Sequence, residues 1–133
     1  MERMAGKRVL VVGDLMLDAP HHNAMTSACD ALRMGLPLLT VPGRAMAARA
    51  SEGMLRAAGL PELVAANHDE YVRIAVELGT NPAATEGFKR RLARNRTTAP
   101  LFDTVGRVRA LEAALLGMAE RLGRGARPES FEV

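Results

Sequence analysis

The chain has 133 residues, 48% hydrophobic and 25% charged, with a formal net charge of +3 and 3% aromatics. That is room for one domain, with a core filled by Leu, Val, Met and Ala because there is no Trp. One cysteine, Cys29, excludes an intrachain disulfide and points to a reducing compartment. No apolar run reaches the roughly 18–20 residues of a membrane span.

In chain order, Met1 to Lys7 reads as a loop or the remnant of a helix. Its basic residues precede an apolar stretch, but Gly13 and Asp14 interrupt that stretch and no small-residue cleavage site follows in the right place. It is therefore not read as a signal peptide, and the expected location is the cytoplasm. Arg8–Val12 is a strand, broken by Gly13 from a second run, Asp14–Leu17. KRVLVVGDLMLD by itself also resembles the first strand of ribokinase-like sugar kinases, but the chain has no glycine-rich substrate motif and no late Gly-x-Gly-Asp.

A polar loop, Asp18 to Met25, leads to a helix from Thr26 to Gly35 and a strand, Pro37–Val41, that closes on Pro42-Gly43. A helix over Arg44–Ala58 places Ala47, Ala50, Met54 and Ala57 on one stripe and stops at Gly59. LPELVA, residues 60–65, is a short apolar connection with the option of a brief strand. Asn67 or Asp69 caps a helix whose inner face is Tyr71, Ile74, Ala75 and Leu78, with Gly79 as its stop. Asn81-Pro82 starts the next helix, facing inward with Ala84, Phe88 and Leu92. Asp103 or Thr104 caps a last helix carrying Val105, Val108, Leu111, Leu115, Met118 and Leu122, a stripe that requires a packing partner. Residues 124–133 are rich in Gly, Pro and charge and read as a flexible tail after a body spanning 1–123. Residues 86–127 hold ten Lys/Arg against four acids. Such an excess attracts nucleic acid or an acidic surface in some proteins, but here it is read as a solvated helix face with nucleic acid not expected as a partner, because single-strand binding interleaves aromatics with charge and the nearby Phe88 and Phe102 suit core positions.

Strand, loop, helix and strand over residues 14–43 make a βαβ unit, and the loop carries its chemistry. The helix opens on two hydroxyls, Thr26 and Ser27, where free N–H groups and the positive end of the dipole attract anions. Asp30 lies four residues after Thr26 and three after Ser27, so the three can face one ligand. In open α/β sheets ligands bind beyond the carboxyl ends of the strands, where this loop sits. The pattern fits a nucleotide diphosphate with Asp30 on the ribose. It also fits an ordinary helix start. Asn23 suits either the ligand or a turn. His21 and His22, with Asp18 and Cys29, do not form a zinc set, because adjacent histidines point apart and zinc takes about four convergent ligands. One of the histidines as a general base is an open but unsupported option, since no nucleophile or orienting carboxylate goes with it. Arg44 and Arg49 are placed to approach a phosphate or to lie on a solvated face.

Leu17-Asp18, Asn23, Thr26-Ser27, Asp30, Gly35, Pro37, Thr40 and Pro42-Gly43 follow in the order of the donor-binding segment of a known family. Over these residues the chain resembles the O-linked N-acetylglucosaminyltransferase (SPINDLY-like) glycosyltransferases. The match continues through residues 43–65, 69–82 and 99–104 and covers about nine-tenths of the chain, which makes it far more specific than any one motif. The sequence departs from the family pattern at Met25, where the family has His, at His21-His22, at Arg33 in place of a frequent Trp, and at Leu115 and Ala119.

The resemblance implies an α/β fold: a partial Rossmann-like lobe, the C-terminal half of a GT-B glycosyltransferase, with a helical C-terminal extension. It implies a UDP-sugar donor, UDP-GlcNAc in this family, transferred to Ser or Thr of a protein acceptor by an inverting displacement, with no metal and no further cofactor. The donor-binding residues it implies are Asn23, Met25, Thr26, Ser27 and Asp30, with no catalytic residue in this stretch. The remaining strands of the sheet, the acceptor lobe and a helical-repeat region would precede Met1. The chain is thus expected to be a C-terminal part or half of a split enzyme, inactive alone and partnered by that lobe in cis or on another chain. The alternative from a different class is a non-catalytic remnant or interaction module that pairs with that lobe through an exposed apolar face.

Overall fold

The computed structural model describes residues 10–127 and 129–130. Of the expected elements, the Met1–Lys7 segment, the first two residues of the first strand and the end of the tail lie outside them. The chain divides into two compact units, one up to Phe102 and one from Asp103.

In the first unit, runs of two or three large apolar residues make the strands β1 (Leu10–Val12), β2 (Leu15–Leu17) and β3 (Leu38–Leu39). Neighbours along a strand point to opposite faces, and Leu15 with Met16, like Leu38 with Leu39, are all at most 2% exposed. At β2 and β3 the sheet is therefore covered on both sides, as parallel α/β sheets are. β2 and β3 run parallel, Met16 opposite Leu38 and Leu17 opposite Leu39. A parallel bridge from Thr40 to Val64 extends the layer by one position. β1 joins the other edge as an antiparallel hairpin partner of β2, Leu10 opposite Leu17 and Val12 opposite Leu15. The break at Gly13 is thus a reversal of direction, with Gly13 at φ 57°.

Helix α1 (Met25–Arg33) crosses between the parallel strands, and Ala28, Ala31 and Leu32 are its buried residues. It stops at Gly35, φ 83°, whose N–H donates to the carbonyl of Leu32 while that of Leu36 donates to Ala31. This double closure needs the left-handed backbone that glycine adopts without strain. Helix α2 (Ala50–Ala57) ends in the same way: Gly59, φ 76°, donates to Arg56, and Leu60 donates to Leu55. α2 starts later than the apolar pattern predicts, after a 3-10 turn over Met46–Ala48. Its inward stripe is Ala48, Ser51, Leu55 and Ala58, all buried, whereas Ala47, Ala50, Met54 and Ala57 sit one position off and only half-buried. The LPELVA stretch forms a 3-10 turn, Pro61–Leu63, leading to the bridge at Val64.

Helix α3 (His68–Thr80) is capped by Asn67, whose side chain accepts from the N–H of Glu70, and it packs on β2 and β3. It runs through Gly79, whose φ is not positive, and the Thr80 hydroxyl donates to Val76 in the last turn. The stop falls at Asn81, which caps α4 (Pro82–Asn95) by accepting from Ala84. The joint between the two helices is closed by buried Thr85, whose hydroxyl donates to the carbonyl of Leu78 at 3.0 Å. α4 seals the core with Leu92, and Asn95 donates to the carbonyl of Ala58 at the end of α2. Leu15, Leu32, Leu38, Leu39, Leu55, Leu60, Leu63 and Leu92 fill the interior. An aliphatic core follows from a composition with three Phe and no Trp.

The second unit is dominated by α5 (Thr104–Gly123), capped by Asp103, whose carboxylate accepts from Gly106. It buries no residue: Val105, Val108, Leu111, Leu115, Met118 and Leu122 are 48–79% exposed.

Candidate functional site

The loop between β2 and α1 emerges at the carboxyl ends of the parallel strands and is held by two buried polar side chains. Asp18 is 3% exposed. Its Oδ1 accepts from the backbone N–H groups of Ala19 and Ala24, both at 2.9 Å, and its Oδ2 accepts from the Thr40 hydroxyl at 2.9 Å. The Asp18 carbonyl accepts from the hydroxyl of Tyr71 on α3, also at 2.9 Å. Burial, reinforced by the Asp18 charge, pushes the Tyr71 phenol up to about 12. Asn23 is 1% exposed. Its Oδ1 accepts from Ser51 N–H at 3.1 Å, capping α2 from a distance, and its Nδ2 donates to the Ala19 carbonyl at 3.2 Å. Its own N–H donates to Ala47 at 2.7 Å.

These bonds decide what the N-terminus of α1 offers. The helix starts at Met25, with Ala24 at the N-cap and no side-chain cap, so the expected hydroxyl start at Thr26 lies one residue inside. A helix begins with four N–H groups that have no intrahelical acceptor. Here Ala24 donates to Asp18 and Met25 donates to the Asn23 carbonyl at 2.9 Å. The other two, Thr26 and Ser27, make no hydrogen bond among the described residues. Met25, Thr26, Ser27 and Asp30 are all exposed. The outward side of the helix start thus carries two open N–H groups, two hydroxyls and, one turn on, a carboxylate.

Of the residues that the sequence singles out, the structure brings Met25, Thr26, Ser27 and Asp30 together on this surface and places Asn23 beneath it, with its carboxamide bonded within the protein. His21 and His22 are exposed, and Cys29 is half-buried. Among the described residues no group of three or more His, Cys, Asp or Glu is arranged to hold a metal ion. Arg44 and Arg49 line a shallow cleft along α2 with Met46, Glu52, Gly53 and Arg56. There Glu52 pairs with Arg49 at 3.5 Å and with Arg56 at 3.1 Å. No helix of the described residues is long and apolar enough to cross a membrane.

Sequence reasoning missed the part of Asp18, Thr40, Ser51 and Tyr71. Asp18 read as loop and Thr40 as strand, and Tyr71 was one member of an apolar stripe. The signals were an acid set directly against an apolar strand end and the place of Asp18 and Thr40 in the family pattern, neither of which says what the side chains bond.

A small parallel layer with helices about it, a structured loop at its strand ends and an open helix N-terminus beyond them is a Rossmann-like arrangement. The fold class is α/β, that of the C-terminal half of a GT-B glycosyltransferase. A solved structure of a mutant of the Thermobaculum terrenum O-GlcNAc transferase superposes with a TM-score of 0.67 at 33% identity, covering 77% of this chain and 20% of its own. The chain belongs to glycosyl transferase family 41, whose profile matches residues 6–111. The UDP-N-acetylglucosamine–peptide N-acetylglucosaminyltransferase of Caenorhabditis elegans is 36% identical over 114 residues, which are 86% of this chain and 10% of the relative. A probable enzyme of the same name from Arabidopsis thaliana is 34% identical over 124 residues, 92% of this chain and 13% of the relative. The chain thus spans little more than a tenth of the curated relatives it matches.

Proposed function

We propose that the chain is the sugar-nucleotide-binding part of a protein O-GlcNAc transferase-like glycosyltransferase, with a UDP-sugar as ligand and a protein as the acceptor of the assembled enzyme. The observation that carries this reading is the pair of open N–H groups of Thr26 and Ser27 beside their own exposed hydroxyls. A diphosphate lies against this helix end with its charge at the positive end of the dipole. Asp30, one turn further, accepts hydrogen bonds from the ribose hydroxyls, and Met25 packs beside the phosphates in place of a polar group. As the sugar leaves, charge grows on the diphosphate, and donors already aimed at it stabilise that charge without reorganisation. The site needs no metal and no further cofactor. The chain spans little more than a tenth of its relatives, and by this reading it does not transfer the sugar alone. Its single half-buried thiol suits the cytoplasm.

Calorimetric titration of the chain with UDP tests the reading. Saturable binding, lost in Asp30→Ala with the fold intact, supports it; a folded chain that takes up no UDP refutes it.

The exposed stripe of α5 favours a second reading, an interaction module that pairs with the other lobe of a family member. A separately expressed first lobe that is retained by the chain, and released by Leu111→Ser with Leu115→Ser, would support this reading. Equal retention of both forms would count against it.

A further inference from the structure

Beneath the open end of α1 lies a carboxylate to which the diphosphate reading gives no part. Asp18 is 3% exposed, too deep to meet a ligand, yet both of its oxygens are engaged. Oδ1 takes the Ala24 N–H, the first of the four donors at the start of α1, together with the Ala19 N–H where the loop departs. One oxygen therefore ties the two ends of the loop together. Oδ2 fixes that oxygen's orientation by accepting from Thr40, just past β3, and the Tyr71 hydroxyl fixes the Asp18 backbone from α3. The direction in which α1 leaves the loop is set at Ala24, and the N–H groups of Thr26 and Ser27 follow it two and three residues on.

We propose that Asp18 is the positioning residue of the site: by binding the first N–H of α1 from beneath, it leaves the third and fourth donors, those of Thr26 and Ser27, aimed outward at the diphosphate. This rests on the diphosphate reading. Small misplacements of binding groups are costly, and at metal sites the loss of a partner behind the ligands changes affinity by about 10–100-fold, a scale carried over here. Because the role lies in the acceptor geometry, Asp18→Asn, which keeps one carbonyl oxygen for Ala19 and Ala24, binds more nearly as the parent does than Asp18→Ala.

The test uses the full chain and UDP. Affinity by calorimetry and the amide shifts of Thr26 and Ser27 are measured for Asp18→Ala, Asp18→Asn, Thr40→Val and Thr40→Ser, each with its melting temperature. Thr85→Val is the control, since it removes another buried hydroxyl bond, between α3 and α4. The expected result is a loss of about tenfold or more in Asp18→Ala, a smaller loss in Thr40→Val that Thr40→Ser restores, and shifted Thr26 and Ser27 amides in the weakened variants. Thr85→Val should melt lower with its affinity unchanged. If affinity merely tracks melting temperature, Thr85→Val included, Asp18 only stabilises the fold and the proposal is overturned. Should Asp18→Ala fail to fold, the Thr40 pair decides: equal affinity in Thr40→Val and Thr40→Ser overturns the role. A parent chain that binds no UDP removes the diphosphate reading and this role with it. A parent that binds, with every variant binding equally well, removes this role alone.

Discussion

Asn23 is the residue whose two readings diverge most sharply on one substitution. As a ligand contact it would cost nothing in stability to remove. As the structure has it, Asn23→Ala deletes the acceptor for the Ser51 N–H at the start of α2 and the donor to Ala19, at a site 1% exposed. A buried N–H left unpaired costs about 1–3 kcal/mol. The Ala19 carbonyl is only part-buried, and water can recover some of that loss. Adding a small cavity for the missing carboxamide, the expected destabilisation is about 2–4 kcal/mol. With a urea slope of about 2 kcal/mol/M, the middle of the usual range, the denaturation midpoint should fall by roughly 1–2 M with the slope unchanged. Asn23→Asp keeps an acceptor at the positive end of α2 but faces the Ala19 carbonyl with a second oxygen, so it should fall between the parent and Asn23→Ala. If Asn23→Ala loses less than about 0.5 kcal/mol and yet abolishes the heat of UDP binding, the remote-cap reasoning is wrong and the side chain belongs to the ligand.

Further outcomes follow from the same geometry. Ser51 is fully buried, and its hydroxyl has no hydrogen-bond partner among the described residues; Ser51→Ala should therefore leave stability unchanged or raise it by up to about 1 kcal/mol, and a loss on thermal denaturation would contradict this. Leu92→Ala, in the sealed core, should cost about 2–5 kcal/mol. Leu115→Ala, on a helix that buries nothing, should stay within about 0.5 kcal/mol by the same measurement. Tyr71 is the one tyrosine, so alkaline titration of phenolate absorbance reads it alone, with its midpoint near 12 in the folded chain against an ordinary 10. Because its folded pKa is raised, the stability it contributes is complete below pH 10 and is lost as pH climbs towards 12.

Much of the fold was legible because its signals are local. The Gly35 stop, the caps at Asn67, Asn81 and Asp103 and the inner faces of α3 and α4 depend on residues within a turn or two of one another. The misplaced features depend on partners far along the chain. α2 turns a serine inward because the turn at Met46–Ala48 shifts its register, and a polar residue on an inner stripe hides that stripe from a hydrophobic pattern. β1 pairs antiparallel only because β2 has an edge free to receive it. At the candidate site, Thr26, Ser27 and Asp30 could be named from their spacing on one helix. Asp18 and Asn23 stand in the same family pattern, but what they hold could not be read, since Asp18 meets Thr40 across 22 residues and Asn23 meets Ser51 across 28.

Those spans carry a consequence for the order in which the chain acquires structure. β2, α1 and β3 lie within residues 15–39 and can form from what has already been synthesised. The loop between them waits for Thr40, then Ser51 and last Tyr71, 53 residues beyond the carbonyl it binds. Loop closure over such distances is paid in chain entropy before the contact rewards it. On an elongating chain the loop from Asp18 to Ala24 is therefore the late arrival in its own βαβ unit. A nascent chain arrested before α3 should carry the helix start without its final lock, and hydrogen exchange in the finished protein should show the same region opening ahead of the core.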